Sequence, residues 1–367
     1  MFDMRLKMVG LVASGCFVVL SGLTYHVQAV TIDWVEVGDP GNAADTTGYG
    51  AVVSAYKIAK YEVTIGQYVD FLNAVAKTDP YGLYDTSMAA DTTSDSRYLH
   101  NATGISRSGS PGSYVYAAVT PYGTNPAGAS SSTNRPIAYI SWFDSARFAN
   151  WIHNGQPTGA QGAGTTETGA YTLNGAVSGN TVPVNPGAQA FLPTADQWYK
   201  AAFYKGGGTN AGYWDYAQQS DSIPGNTIGS GANMANYWAG NGTPYSVTGG
   251  TTIDPNQNYL TDVGAFTNSG SPYGTFDQGG NLYEWIDKDG VPAGFAGRAG
   301  ESYRFRFNLS ADDAIVEVNS DLAIATYGFR LASPVPVPEP SAIVSLAAGA
   351  VSIGGLLGYR RRRRRRA

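Results

Sequence analysis

The stretch Phe191-Leu192-Pro193-Thr194-Ala195-Asp196-Gln197-Trp198 carries a clear local signal in this chain of 367 residues. The Thr194 hydroxyl is placed to accept a hydrogen bond from the third amide of a helix, and the Gln197 side chain can reach back to Thr194. This reciprocal pattern is a capping box, and apolar positions follow it at Trp198, Ala201 and Ala202. The stretch therefore predicts a helix that begins at Thr194.

Two further helices are predicted to begin in the same way. Thr64-Ile65-Gly66-Gln67 opens one of them, and its apolar face holds Ile65, Tyr68, Leu72 and Val75. Ser141-Trp142-Phe143-Asp144 opens the other, where Asp144 also complements the helix dipole. The buried positions expected there are Ala146, Phe148 or Ala149, and Trp151 or Ile152. Three such helices in a glycine-rich chain indicate a compact scaffold with long excursions between its elements.

The composition limits the class of protein. Glycine and tyrosine are abundant, at 47 and 25 residues, whereas only 14% of the residues are charged. This composition is typical of a loop-rich secreted fold in which aromatic side chains fill the core. No repeat of fixed period is visible, which argues against a propeller or a solenoid. The chain has room for one large domain or two small ones.

The N-terminal residues resemble an export signal. A basic start precedes an apolar stretch from Met8 to Leu23, and Val27-Gln28-Ala29 has the residue pattern that signal peptidase accepts. Residues 1–29 are therefore predicted to be a signal peptide, so that the mature protein begins at Val30. Cys16 lies inside the apolar stretch in a poor lipoprotein context, and we expect no lipidation.

The C-terminal residues resemble a second targeting signal, which has three parts. A Pro-rich linker, 334–340, cannot continue a strand or helix, the apolar run 341–359 can enter a bilayer as a helix, and an arginine cluster resists translocation. The residues that carry this pattern are Val337, Pro338, Glu339, Pro340, Arg360, Arg361 and the five arginines up to Arg366.

Residues 337–367 resemble the PEP-CTERM sorting signal of Gram-negative bacteria. The resemblance implies an exosortase-type processing enzyme as partner, transient anchoring in the inner membrane, and delivery to the cell surface or an exopolysaccharide matrix. The alternative is a plain C-terminal anchor with a stop-transfer charge cluster. In both cases the body of the protein is expected to face outward.

Removing both ends makes the chain strongly acidic. Without Arg5, Lys7 and the seven tail arginines, 14 of the 23 basic residues remain, and without Asp3, 27 of the 28 acidic ones remain. Residues 30–340 therefore carry a formal charge of −13. Nucleic-acid phosphates need clustered Lys and Arg, so nucleic acid is an unsuitable partner, whereas calcium or neutral glycans suit this charge.

The mature chain has no cysteine and only two histidines, His100 and His153. Disulfides and thiolate chemistry are therefore excluded, and one chain cannot build a metal site with three imidazoles. Both histidines lie beside loop-like sequence. We expect them to be surface or helix-end residues.

Five motifs, in this order, give the chain a family resemblance: Lys60–Thr64, Arg135–Ala146, Phe191–Trp198, Gly279–Trp285 and Tyr327–Leu331. Together they resemble the formylglycine-generating enzyme family, also called the sulfatase-modifying-factor domain, over roughly residues 33–333. The resemblance implies one domain, 30–333, with the α+β fold that is this family's variant of the C-type lectin fold. That fold has short antiparallel strands and few helices. The two insertions, at about 79–134 and 155–189, are expected to be surface loops.

The family's copper chemistry is not expected here. Enzymes of the family bind copper through two cysteines after an Arg-Gly-Gly-Ser-Trp motif, which corresponds here to Arg298–Tyr303, and no cysteine follows. Cu(I) selects soft sulfur ligands, so we expect no copper. The family's iron-dependent sulfoxide synthases need histidines in a pattern that His100 and His153 do not match. The resemblance therefore assigns no catalytic residue.

Structural calcium is implied by the resemblance, since it needs only oxygen ligands. The first site would use the side chains of Asp277 and Glu284 with the carbonyls of Gly280 and Leu282. The second would begin at the Asn233 side chain and the Met234 carbonyl, with Asp254 as an uncertain acidic partner. The alternative is that these side chains only cap turns and bond amides.

The remaining aromatic and charged residues divide into core and surface. The motif tryptophans 142, 151, 198 and 285 are expected in the core, and Arg330 is expected to bond backbone carbonyls. Asp312-Asp313 is expected to be a solvated turn. Tyrosines of the first insertion could stack on sugars or pack locally: Tyr81, Tyr84, Tyr98, Tyr114, Tyr116 and Tyr122.

Two functions remain open. The first is an exported, non-catalytic module that binds or organises extracellular polysaccharide or protein. The second is a divergent enzyme on an extracellular substrate, in which carboxylates such as Asp215, Asp221 or Glu301 act as acid and base. The ligand inventory favours the first, because the chain lacks the family's metal ligands.

Overall fold

The computed structural model describes residues 29–91, 99–123, 131–238, 240, 242–289, 291, 295–300, 302–304 and 309–335. The signal peptide up to residue 28 and the sorting signal 337–367 lie outside the described residues. Within those that are described, no helix is long and apolar enough to cross a membrane. The predicted membrane helix 341–359 is not among them.

The three predicted helices are present, and their capping boxes are confirmed. They are α1 (Ile65–Val75), α2 (Trp142–His153) and α3 (Ala195–Phe203). In each, the side chain before the first helical residue accepts from the third amide, and the third side chain accepts from the capping residue's amide. Local sequence therefore determines where these helices begin.

Nine short strands complete the described secondary structure: β1 (Trp34–Val37), β2 (Tyr56–Ala59), β3 (Ile105–Ser108), β4 (Val115–Ala118), β5 (Tyr283–Ile286), β6 (Phe295–Ala299), β7 (Ile315–Asn319), β8 (Tyr327–Phe329) and β9 (Ala332–Pro334). They form three sheets, in the orders β1-β2-β9, β3-β4 and β7-β6-β5-β8. Every named strand pair is antiparallel except β5 with β8, where Tyr283 lies opposite Tyr327. The predicted short antiparallel strands are therefore present, and one parallel pair occurs in addition.

Aromatic side chains fill the core, as the composition predicts. The four motif tryptophans are fully buried. Phe148 lies at the centre of the largest cluster, where its ring contacts Tyr68, Phe71, Trp151 and Phe329 at centroid distances of 5.3 to 6.1 Å. The contact with Tyr68 is stacked and the other three are edge-on or tilted, and such contacts stabilise aromatic pairs beyond their buried area.

The two insertions are not simple surface loops. The first contributes β3, β4 and a short 3₁₀ turn, Thr86–Met88, and its Leu83 and Tyr116 are buried in the main core. The second buries Tyr171 in the same cluster. The expectation is wrong here because apolar residues spaced irregularly along glycine-rich sequence show no period, although they still pack inward.

Candidate functional site

Arg330 and Glu284 form a fully buried ion pair at the centre of the motif-bearing region. Arg330 Nε donates to Glu284 Oε2 and Nη2 donates to Oε1, both at 2.6 Å. The remaining guanidinium hydrogens bond the carbonyls of Ala59, Lys60 and Phe276. Burial opposes the charge of Arg330, but Glu284 outweighs it and raises the arginine's pKa. Arg330 therefore donates hydrogen bonds to backbone carbonyls, as the sequence predicts.

Glu62 is a second buried carboxylate in this network. Its Oε2 accepts from Asn281 Nδ2 at 2.9 Å and its Oε1 accepts from Leu282 N at 3.2 Å. Burial and then the charges of Asp277 and Glu284 raise its pKa well above the ordinary value. Sequence reasoning did not single out Glu62, although it lies inside the first family motif. Its role depends on contacts more than 200 residues away along the chain.

Asp277 completes the cluster. Its Oδ2 accepts from Gly264 N at 2.6 Å, and burial raises its pKa to about 6. Asp277 and Asn281 both have left-handed backbones, with φ of 63° and 64°. Gly280 lies between them in the sequence. Only glycine fits there, because a β-carbon would lie 2.7 Å from the Asn236 carbonyl oxygen.

The first predicted calcium loop fits the ion poorly in this arrangement. Both Glu284 oxygens accept from Arg330, and Oε2 also accepts from Trp198 Nε1 at 2.8 Å. The Arg330 guanidinium therefore already neutralises the Glu284 carboxylate. Across the residues that the structure describes, no group of three or more His, Cys, Asp or Glu side chains is arranged to hold a metal ion. Calcium at Asp277, Gly280, Leu282 and Glu284 stays a prediction.

The second predicted site has one feature that fits. Asn233 Oδ1 is buried without a hydrogen-bond partner, while its Nδ2 donates to the Ser222 carbonyl at 3.0 Å. Asn233 is left-handed, with φ of 55°, and Met234 follows it. An unpartnered amide oxygen is a suitable calcium ligand. The contacts of Asp254 lie elsewhere, since its Oδ1 accepts from Asn256 N and its carbonyl from Asn101 Nδ2.

A separate polar cleft opens on the surface beyond α3. It has a volume of about 300 Å³ and is called the Asp–Trp cleft below; its lining residues are Asp45, Thr46, Tyr213, Trp214, Asp215, Tyr216, Ser310, Ala311 and Asp312. One wall comes from the hairpin after α3, where Lys205 N bonds the Gly212 carbonyl and Trp214 N bonds the Phe203 carbonyl. The opposite wall is the 3₁₀ turn Ala311–Asp313, tied across by Ala311 N to the Asp215 carbonyl at 2.9 Å.

Two aromatic side chains of the cleft, Tyr213 and Trp214, contact residues outside its lining. Tyr213 donates its hydroxyl to the Ala43 carbonyl and accepts from Asn42 Nδ2, both at 2.8 Å. Gly50 permits this position, because a β-carbon at its φ of 94° would lie 2.5 Å from the Tyr213 hydroxyl. Lys205 Nζ lies 4.4 Å from the Trp214 ring centroid. Tyr213 is therefore held in place, and Trp214 lies beside it with a cation near its ring.

Three carboxylates line the same cleft. Asp45 is anchored, since its Oδ1 accepts from Thr46 N at 2.7 Å and its Oδ2 accepts from the Tyr199 hydroxyl. Asp215 and Asp312 are exposed. The backbone amide of Asp215 donates to Asp221 Oδ1 at 3.2 Å, so two of the three acidic residues named from the sequence are neighbours through a contact that does not use the Asp215 carboxylate. The third, Glu301, lies outside the described residues.

The cleft lies beside residues 298–303, the segment that the sequence resemblance aligns with the family's copper region. Gly300 N bonds the Ala314 carbonyl at 2.9 Å, next to the 3₁₀ turn that forms one wall. The chain's single cysteine, Cys16, is far from this segment in sequence. The chemistry available at the cleft is therefore that of carboxylates, hydroxyls and aromatic rings.

The other predicted surface residues are placed as follows. His153 is the last residue of α2, and its Nδ1 accepts from Gln189 N at 3.0 Å. His100 stacks on Tyr122 with a centroid distance of 3.6 Å. Asp312 and Asp313 form an exposed turn, as expected. Among the first-insertion tyrosines, Tyr84 and Tyr116 are buried, Tyr122 is exposed, and Tyr98 lies outside the described residues.

Sequence reasoning missed the cleft because its residues come from three distant segments. Asp45, Trp214 and Asp312 share no period or motif spacing. The one usable signal was local: Tyr213-Trp214-Asp215-Tyr216 puts three rings and a carboxylate together in polar sequence.

Comparison with protein families gives one match, a model described as the sulfatase-modifying factor enzyme 1-like domain, which covers residues 33–335. The chain belongs to this family. The buried Glu62, Glu284 and Arg330 therefore lie within the family domain, and the observed α+β fold with few helices and short strands is the family's fold. The predicted resemblance to the sulfatase-modifying-factor domain is confirmed.

The solved structures to which this chain is similar include the following three. The crystal structure of CarF is 20% identical, with a TM-score of 0.48, over 83% of this chain and 99% of that one. Treponema denticola variable protein 1 is 15% identical, with a TM-score of 0.46, over 85% and 98%. PvdO from Pseudomonas aeruginosa is 13% identical, with a TM-score of 0.40, over 84% and 93%. No curated protein matches the sequence. At these similarities nothing about the activity of the three proteins transfers to this chain.

Proposed function

We propose that this chain is an exported, non-catalytic protein whose sulfatase-modifying-factor domain binds extracellular polysaccharide or protein in the Asp–Trp cleft. The observation that carries the proposal is the cleft's lining, which combines three neighbouring aromatic rings, one of them held by hydrogen bonds, with exposed carboxylates. Rings of this kind offer faces for sugar or side-chain stacking, and carboxylates accept hydrogen bonds from hydroxyl or amide groups. A concave site with a few convergent polar groups is the usual form of a ligand site.

The export route is part of the proposal. A signal peptide ending at Ala29 would direct translocation, and Val337 to Pro340 with the arginine cluster would be read by an exosortase-type enzyme at the inner membrane. The body would then reach the cell surface or the exopolysaccharide matrix. Replacing Pro338 and Glu339 by alanine in the host should retain the protein in the inner-membrane fraction. Unchanged release would contradict the sorting assignment.

Calcium is proposed as a structural ligand rather than a reactant. The unpartnered Asn233 Oδ1 supports the second site, whereas the Arg330 pair weighs against the first. Under this proposal chelation lowers the melting temperature, and Asn233→Ala removes the difference between calcium and chelator. A calcium effect that survives Asn233→Ala would remove the support for that site.

The test of binding is co-sedimentation of the exported protein with the host's own exopolysaccharide. We expect saturable retention for the natural protein, and loss of most retention for Trp214→Ala and Tyr216→Ala. Val53→Ala changes an exposed side chain, 87% accessible and outside the cleft, and should bind normally. Tyr122→Ala tests whether the exposed tyrosine of the first insertion contributes to retention. Normal retention of both cleft variants would overturn the assignment of the site, and no retention of the natural protein would overturn the polysaccharide ligand.

A divergent enzyme is the second candidate, favoured by the exposed carboxylates of Asp215 and Asp312 that line the same cleft. In that case incubation with the polysaccharide releases new chain ends, and Asp215→Asn abolishes the release. Retention without any release supports the binding function.

A further inference from the structure

Residue 30, where the mature chain is predicted to begin, is held by one side chain from a distant loop. Val30 N donates to Gln156 Oε1 at 2.6 Å, and Gln156 Nε2 donates back to the Val30 carbonyl at 2.7 Å. Val30 is only 8% exposed, and its side chain packs into the main core. A single amide therefore satisfies both backbone groups of one residue, as a neighbouring strand would.

Gln156 is held in position for this role at some conformational cost. Its φ of 60° is left-handed, a conformation that costs a residue with a β-carbon free energy. Its own amide donates to the Trp151 carbonyl at 2.9 Å, directly beyond the end of α2. Such strain persists where the surrounding structure demands it. The Val30 contact is the interaction that this conformation makes possible.

We propose that Gln156 is the binding site for the processed N-terminus of this same chain. Hydrolysis of the Ala29–Val30 peptide bond by a signal peptidase consumes one water and leaves a carboxylate on Ala29 and an ammonium group on Val30. The Val30 nitrogen then donates to Gln156 Oε1 as a cation instead of as a neutral amide. Removal of the signal peptide thus strengthens a contact of the folded protein. The proposal rests on the predicted processing site and is independent of the ligand at the Asp–Trp cleft.

Val30 shares a cavity with one acidic side chain. The adjoining cavity, about 420 Å³, is lined by residues 29–31, by one face of α1, and by Ala118 and Thr133. Asp70 is the titratable side chain among those lining residues. The carbonyl end of α2 precedes Gln156 and carries the negative end of the helix dipole, beside His153. Hydrogen bonds from a charged donor are roughly twice as strong as neutral ones.

The experiment compares two starting points of the chain. The first protein begins at Val30, as verified by N-terminal sequencing of the exported protein, and the second retains Ala29. Gln156→Ala should lower the melting temperature about twice as much in the first protein as in the second at pH 7. The excess should disappear near pH 10, because an α-amino group titrates at about pH 8. The matched control is Gln189→Ala, because Gln189 is an exposed glutamine near the end of α2. This substitution should lower the melting temperature of both proteins by the same small amount.

A second measurement covers the case in which Gln156→Ala does not fold. The rate at which acetic anhydride labels the Val30 amine of the natural protein is compared with that of a free Val-Thr-Ile peptide. A docked amine should react at least tenfold more slowly. An equal labelling rate, an equal loss for both starting points, or a mature chain that begins elsewhere would each overturn the proposal.

Discussion

The buried network around Arg330 and the Asp–Trp cleft are built from opposite kinds of sequence. Glu62, Glu284 and Arg330 lie in family motifs and satisfy one another and the backbone, with no exposure on the ion pair. Asp45, Trp214 and Asp312 lie outside the quoted motifs and line an open cleft, where Asp312 is exposed and the other two are half-buried. The difference teaches that the recognisable residues of this domain maintain its fold, whereas the binding that we propose uses residues that no motif identifies.

The largest effect should come from breaking the buried pair. Glu284→Ala leaves the Arg330 guanidinium buried without its counter-charge, and we expect a loss of about 3–5 kcal/mol in the free energy of unfolding. The pair of Lys288 and Glu317 is the matched control, because its side chains are 15% and 34% exposed. Glu317→Ala should cost about 0–1 kcal/mol. Similar losses in urea unfolding would mean that the network does not hold the fold.

Asp277 tests the same network through pH. Its folded pKa is raised from 3.8 to about 6, so the folded state holds a proton that the unfolded state releases between those values. Its contribution to stability is fully present below about pH 4 and is lost as pH rises through 6, at most about 3 kcal/mol.

Asp277→Asn keeps an oxygen for the Gly264 amide and removes this titration. In chelator, the variant should therefore gain stability relative to the natural protein between pH 4 and 7. If calcium binds at Asp277, the variant loses a calcium-dependent stabilisation instead. Identical pH profiles for the two proteins would contradict the burial of an ionisable Asp277.

A smaller effect is expected at the cap of α2. Ser141→Ala removes the acceptor of the Asp144 amide, at 3.2 Å, and the donor to Asp144 Oδ2, at 2.6 Å. We expect a loss of about 1–2 kcal/mol, because this capping box is buried. Thr194→Ala breaks the exposed cap of α3 and should cost less, about 0.5–1 kcal/mol. Thermal melts compare the two, and an equal loss would show that burial of the cap is unimportant.

These residues also show what the sequence can predict. Helix starts at Thr64, Ser141 and Thr194 were predictable because a capping box needs only four consecutive residues. The burial of Trp285 and the carbonyl contacts of Arg330 followed from family motifs. Glu62 was not predictable as a partner of Asn281, since no local pattern encodes a contact across 219 residues. The parallel pairing of β5 with β8 was missed for the same reason.

The cleft was the least predictable part. Its walls meet only when the hairpin after α3 packs against the Ala311–Asp313 turn, and no periodicity links these segments. The second insertion was predicted to be a surface loop, but its Tyr171 is fully buried. Long-range packing, rather than local propensity, decided both outcomes.

The most direct test of the division between fold and binding uses two variants and two measurements. Melting temperature and affinity for exopolysaccharide fragments are determined for Ser141→Ala and Trp214→Ala. We predict that Ser141→Ala melts lower but binds normally at 25 °C, while Trp214→Ala loses about tenfold or more in affinity at a cost of about 1 kcal/mol in stability. Normal binding by Trp214→Ala would contradict the account.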